Sequence, residues 1–137
     1  MESPFNTRAV HATEMPAANG ITTARSLAKM YAATVGEVDG VRLFDDATVK
    51  AATAEQVNGP DACLVADSRF GCGYMLHGTL TPMLSEGSFG HAGAGGSLGY
   101  ADPDAKVGYG YVMNQMGGGL TGDPRTIGLT AAVRASI

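Results

Sequence analysis

Residues 88–116 read SFGHAGAGGSLGYADPDAKVGYGYVMNQM, and this stretch decides the fold. It opens on a glycine cluster, Gly90, Gly93, Gly95, Gly96 and Gly99, and continues as a hairpin. Ser97–Ala101 is short and strand-compatible, Asp102-Pro103-Asp104-Ala105 has the composition of a turn, and Lys106–Met116 is a second, longer run. Within that run Val107, Tyr109, Tyr111 and Met113 alternate with Gly108, Gly110 and Val112, the period of two expected of a strand. Pro103 pre-sets φ for the second position of a type I turn, and the Asp102 side chain is placed to accept a hydrogen bond from the backbone beyond it. Glycines bunched ahead of a strand mark a place where the backbone approaches something closely, a ligand included.

Working outward, Thr22–Val35 is the clearest helix. Thr22 or Thr23 caps it, Gly36 ends it, and Leu27, Met30, Tyr31, Thr34 and Val35 share a face. Asp45 caps a second helix, about residues 46–56, placing negative charge where the helix dipole favours it. Asn58-Gly59-Pro60-Asp61 reads as a breaker, Phe70–His77 as one strand, and residues 78–87 and 117–124 as loops. Thr126–Ile137 reads as a terminal helix packing through Ile127, Leu129, Thr130, Val133 and Ile137. Met1–Ile21 has no sustained period and reads as loop, with Asn6, Thr7, Glu14, Asn19 and Gly20 as polar positions able to line a site but more simply solvated.

The 137 residues suffice for one domain, and 45% hydrophobic content is ordinary for a globular chain. A net charge of −4 without any basic cluster argues against nucleic acid as a partner. No apolar run approaches the ~18 residues of a membrane span. The N-terminal MESPFNTRAV lacks the apolar core of a signal peptide, and Cys63 and Cys72 make no disulfide framework, so a cytoplasmic location with free thiols is expected. His11, Glu14, His77, Cys63 and Cys72 have no metal-ligand spacing, and the glycine cluster lacks the Gly-Lys-Ser/Thr ending of a phosphate loop. Neither a metal nor an organic cofactor is expected.

Residues 90–103, Gly-His-Ala-Gly-Ala-Gly-Gly-Ser-Leu-Gly-Tyr-Ala-Asp-Pro, followed by Gly110-Tyr111-Val112-Met113-Asn114, resemble the C-terminal region of the serine β-lactamase-like hydrolases. These comprise class C β-lactamases, penicillin-binding proteins and the carboxylesterases of the same fold, and the esterase branch is the nearest. The Thr-Ala-Arg segment opening the first helix and Phe70-Gly71-Cys72-Gly73-Tyr74 are also similar to family segments. The resemblance implies an α/β (α+β) architecture, an antiparallel sheet flanked by helices, as a partial β-lactamase/transpeptidase-like domain over residues 1–137. It places His91 where β-lactamases carry the lysine of Lys-Thr-Gly, makes Gly93 the small residue along which substrate lies, and gives the Ala94 N–H to the oxyanion hole. The neutral imidazole in place of a lysine argues for esters over β-lactams. By itself, without that setting, His91 reads as an ordinary strand histidine.

In the family the Ser-x-x-Lys nucleophile region lies upstream of such a segment, so the chain is expected to be inactive alone, taking a small ester or amide substrate only when completed. A non-enzymatic remnant that binds a ligand or partner beside His91 is the alternative. Ser26-Leu27-Ala28-Lys29 matches Ser-x-x-Lys and puts both side chains on one helix face, but four residues with two free positions are a weak pattern. Placed inside the helix, Ser26 would have no free N–H groups aimed at it. The resemblance also implies that the Lys106–Met116 strand loses a neighbour, exposing an edge for self-association.

Overall fold

The computed structural model describes residues 5–18 and 20–137; residues 1–4 and Asn19, part of the stretch read as loop, lie outside the described residues. Ten elements follow in order: α1 (Arg8–His11), α2 (Ala24–Val35), α3 (Asp46–Thr53), β1 (Val57–Asp61), β2 (Ala66–Phe70), β3 (Met75–Leu76), β4 (Phe89–Ala92), β5 (Leu98–Asp102), β6 (Val107–Tyr111) and α4 (Pro124–Arg134). The six strands form one sheet in the order β1-β2-β3-β4-β5-β6, every pair antiparallel. The architecture is the antiparallel sheet flanked by helices that the sequence implied.

Residues 98–111 form the expected hairpin, with Leu98 opposite Tyr111 and Asp102 opposite Val107. The Ala105 N–H donates to Asp102 Oδ1 at 2.8 Å, the bond anticipated from the Asp-Pro turn. Asp102 does more than that. It is fully buried, and its Oδ2 accepts from the Ser88 hydroxyl at 2.6 Å and from that of Ser85. Desolvation pushes its pKa up, but the hydroxyl and backbone donors outweigh this and hold it below the usual carboxylate range. The β5–β6 turn is thereby stapled to the segment entering β4.

The two faces of the sheet are built differently. On one, Gly99, Gly108 and Gly110 leave a flat surface on which α2 lies directly. A Cβ at Gly108 would sit 2.4 Å from Ala28 O and Ala32 N of the helix, and one at Gly110 would sit 2.4 Å from Ala24 O. Tyr31, Leu76, Phe89 and Ala101 make the core on this side. On the other face Tyr100 and Tyr109 stack with ring centroids 4.6 Å apart. Met75, Met83, Leu84, Ala92 and Leu98 complete the core there, with Val133 of α4 packed against it. Burial pushes the Tyr100 phenol up to about 12.

Several expectations are corrected. Residues 58–61, read as a breaker, belong to β1; as the outermost strand β1 can hold Pro60, whose missing N–H costs nothing on an edge. Phe70–His77 is not one strand: the chain turns at residues 71–74 and returns as β3, with Phe70 opposite Met75. The strand predicted over 106–116 ends at Tyr111, and the second helix ends at Thr53 because the Lys50 carbonyl is capped by Ala54. The stretch read as loop contains α1, capped by Thr7. The α2 face is led by Tyr31 and Thr34, with Met30 turned to solvent. The terminal helix begins at Pro124 and packs through Thr126, Thr130 and Val133; Ile127, Leu129 and Ile137 are exposed.

Candidate active site

The candidate residues fall at the end of β4 and in the glycine turn after it. β4 lies inside the sheet between β3 and β5, with His91 opposite Gly99. Phe89, Gly90 and Ala92 are buried while the His91 side chain stays exposed. His91 Nδ1 lies 2.6 Å from the Ala92 carbonyl oxygen. A carbonyl can only accept, so Nδ1 carries the hydrogen, and the neutral ring presents a bare lone pair at Nε2. The Phe70 ring stands 6.3 Å from the imidazole, tilted 59°.

The turn is fixed from two sides. Internally, the Gly93 N–H donates to Ser97 O at 2.8 Å and the Gly96 N–H to Gly93 O at 3.0 Å. Externally, the Gly95 N–H donates to Gly119 O at 2.9 Å and the Gly117 N–H to Gly95 O at 2.7 Å, so the turn is laced to residues 117–119. Gly95 and Gly96 have φ of 87° and 119°, which side chains rarely adopt, and a Cβ on Gly96 would meet Asp123 Oδ2 and Arg125 Nη2 at 2.5 Å. Arg125 clamps the same turn: Nη2 donates to Gly95 O at 2.9 Å, Nη1 to Gln115 O at 2.9 Å, and its remaining donors go to Asp123. The Arg125 guanidinium in turn pushes the Asp123 carboxyl down to about 2.

Between Gly93 and Gly95 sits Ala94, exposed at the tip of this braced turn. Among the described residues no hydrogen bond engages its N–H. His91, Gly93 and Ala94 together border a pocket of about 350 Å³. The arrangement offers a held backbone donor, a neutral nitrogen acceptor and a small residue between them. That combination can stabilise an oxyanion and accept a hydrogen bond from a substrate or catalytic hydroxyl.

Ser26 and Lys29 do not form a dyad. Ser26 is the third residue of α2, in its first turn rather than inside the helix as expected; its N–H donates to the Thr23 cap and its hydroxyl accepts from the Thr23 hydroxyl at 3.0 Å. Lys29 Nζ is paired with Asp39, and neither residue borders the pocket. Sequence reasoning missed the rest of the pocket wall: Ala17, Leu64, Leu80, Leu120 and Thr121 come from four separate loops. It also missed the Asp123–Arg125 clamp, whose signal is the Asp-Pro pair opening α4. Among the described residues no three His, Cys, Asp or Glu side chains group to hold a metal ion. No helix there is long and apolar enough to cross a membrane.

Comparison with known proteins agrees with this geometry. The profile of the family described as Beta-lactamase matches residues 1–132. Esterase/beta-lactamase LipL of Mycobacterium tuberculosis is 42% identical over 86 residues, which is 61% of this chain and 19% of LipL. EstA from Arthrobacter nitroguajacolicus Rue61a superposes with a TM-score of 0.84 at 36% identity, over 96% of this chain and 36% of EstA. A family VIII carboxylesterase gives 0.75 at 33% identity, over 83% of this chain and 31% of its own. A penicillin-binding protein homolog from Caulobacter crescentus gives 0.74 at 39%, over 84% and 32%. The chain thus spans about a third of these solved relatives. With its sheet, its His-x-Gly strand and its sequence all pointing the same way, the chain belongs to the β-lactamase family, among the esterase-like serine hydrolases.

Proposed function

We propose that these residues form the His-x-Gly and oxyanion side of an esterase-like serine hydrolase. The nucleophile comes from a Ser-x-x-Lys region outside them, and they are inactive alone. The observation that carries this reading is the Ala94 N–H, left without a partner in a turn otherwise saturated with hydrogen bonds, beside a histidine whose tautomer is fixed. When a serine oxygen adds to an ester carbonyl, the carbonyl π pair moves onto oxygen. The Ala94 N–H is the donor for that developing charge, and His91 Nε2 accepts from a hydroxyl of the substrate or the proton relay. The separation of Ser26 from Lys29, the share of the relatives that the chain spans, and the printed activities of LipL, EstA and the family VIII carboxylesterase support a small ester substrate. The exposed free thiols of Cys63 and Cys72 favour a reducing, cytoplasmic setting.

Intact-mass measurement after incubation with a fluorophosphonate tests the proposal. No adduct is expected on the 137-residue chain, and ester hydrolysis is expected only when it is co-expressed with the serine-bearing part of a relative such as EstA. A stoichiometric adduct on Ser26 would overturn it.

The outer edge of β6 supports one further reading, the non-enzymatic alternative of a partner-binding element. β6 pairs only with β5 among the described residues, so its other edge is open to a strand from a second copy or from another segment.

A further inference from the structure

The pocket beside His91 and Ala94 has an unusual wall. Leu64, Leu80 and Leu120 face it from three different loops, Met75 closes it from β3, and no lysine, arginine, aspartate or glutamate borders it. Leu120 is 62% exposed, a large apolar side chain held in the open. It is held deliberately. The Thr121 hydroxyl donates to Leu80 O at 2.8 Å and lies 3.1 Å from Thr81 Oγ1, tying the Leu120 loop to the Leu80 loop. One residue earlier, Gly119 O accepts from Gly95 N–H in the turn that carries Ala94. Leu80, Leu120 and the free Ala94 N–H are therefore fixed relative to one another before any ligand arrives. Leu64 is set by Asp61, whose Oδ1 accepts from the Cys63 and Leu64 N–H groups at 2.8 and 3.0 Å.

Resting on the oxyanion reading above, we infer that this wall is the subsite for the uncharged, apolar side of an ester, and that Leu80 and Leu120 set its specificity, with Thr121 as their positioning residue. A pocket of about 350 Å³ lies at the small end of ligand sites. Apolar walls reward each buried methylene, and without a cation on the wall a carboxylate would be stripped of water with nothing to replace it. The site therefore takes a neutral short-chain ester and refuses the corresponding free acid.

The test is an NMR titration of the full 137-residue chain, following the Ala94 amide and the Leu80 and Leu120 methyl groups. Ethyl butyrate is the probe and sodium butyrate its charged counterpart. Saturable shifts of both the amide and the methyls with the ester, and none with butyrate, are expected. Leu120→Asp, at an exposed position that folding tolerates, should weaken the ester at least about fivefold. Thr121→Val should broaden the leucine methyls and weaken the ester without moving the Ala94 amide of the free protein. Methyl shifts without an Ala94 shift would keep the apolar subsite and overturn the oxyanion reading. An Ala94 shift without methyl shifts, or equal binding of butyrate, would overturn the subsite and leave the oxyanion reading standing. No saturable shift at either place overturns both.

Discussion

Replacing Gly108 by alanine probes the joint between α2 and the sheet. The added Cβ would stand 2.4 Å from Ala28 O and Ala32 N and 2.6 Å from Ala32 Cβ. Two of these are helix main-chain atoms, which no rotamer change can move aside. Reaching an ordinary contact of about 3.5 Å requires α2 to lift by about 1 Å, loosening its dispersion contacts along β5 and β6 together. Overpacking of this kind costs about 1–3 kcal/mol, and a rigid partner puts Gly108→Ala at the upper end, about 3 kcal/mol. That is a large part of a stability of ~5–15 kcal/mol and corresponds to a fall in Tm of roughly 10 °C. Gly128→Ala in α4 is the control, because no atom lies within 4 Å of its Cβ position. There the change should stabilise by about 0.8 kcal/mol, the ordinary helix-propensity gain. Urea unfolding followed by circular dichroism measures both. A Gly108→Ala midpoint within about 0.5 kcal/mol of the parent would refute the direct seating of α2 on a glycine surface.

Asp102→Asn should destabilise by about 2 kcal/mol, because the Ser85 and Ser88 hydroxyls and the turn N–H groups lose a charged acceptor. Since the folded-state pKa of Asp102 is lowered, its contribution is present above the unfolded value and is lost as pH falls through the folded one. The gap between parent and variant in urea melts should therefore shrink below about pH 4, and a gap that widens on acidification would contradict this. Val65 holds φ at 54° in the turn after β1 and is 88% exposed; Val65→Asn should raise stability by about 1 kcal/mol in the same melts by relieving a strained β-branched residue. In any assembly that hydrolyses esters, Ala94→Pro, which deletes the N–H, should lower kcat by about 100- to 1000-fold with little change in KM. Sedimentation over a concentration series should show the apparent mass rising above 13.9 kDa through the open β6 edge, whereas a sharply melting monomer indifferent to dilution would rule that out.

The sequence made the β5–β6 hairpin legible because its signals are local: alternation, an Asp-Pro turn and glycines on one face. Asp102 announced its turn bond, though not its burial or its grip on Ser85 and Ser88, which depends on a loop distant in sequence. β1 was hidden because Asn-Gly-Pro reads as a breaker until one knows the strand is at an edge. The packing face of α4 was hidden for a related reason: apolar residues lie on all its sides, and Thr126 and Thr130 are the ones turned inward. At the site, His91, Gly93 and Ala94 were found by motif. The structure adds the fixed tautomer and the unengaged N–H. The leucine wall could not be found by motif, because Leu64, Leu80 and Leu120 are single apolar residues in unrelated loops, joined only through Thr121 and the glycine turn.

The strictly sequential strand order also dictates how the chain acquires its shape. Every strand pairs with the strand next to it in the chain, so the sheet can grow hairpin by hairpin with little loop-closure entropy at each step. The exception is α2, made before any strand yet resting on the last two. Its docking is the one long-range closure in the meander and waits for β6. Substitutions at Gly108 and Gly110 should therefore speed unfolding far more than they slow folding, whereas changes in the Asp102 turn should slow folding itself.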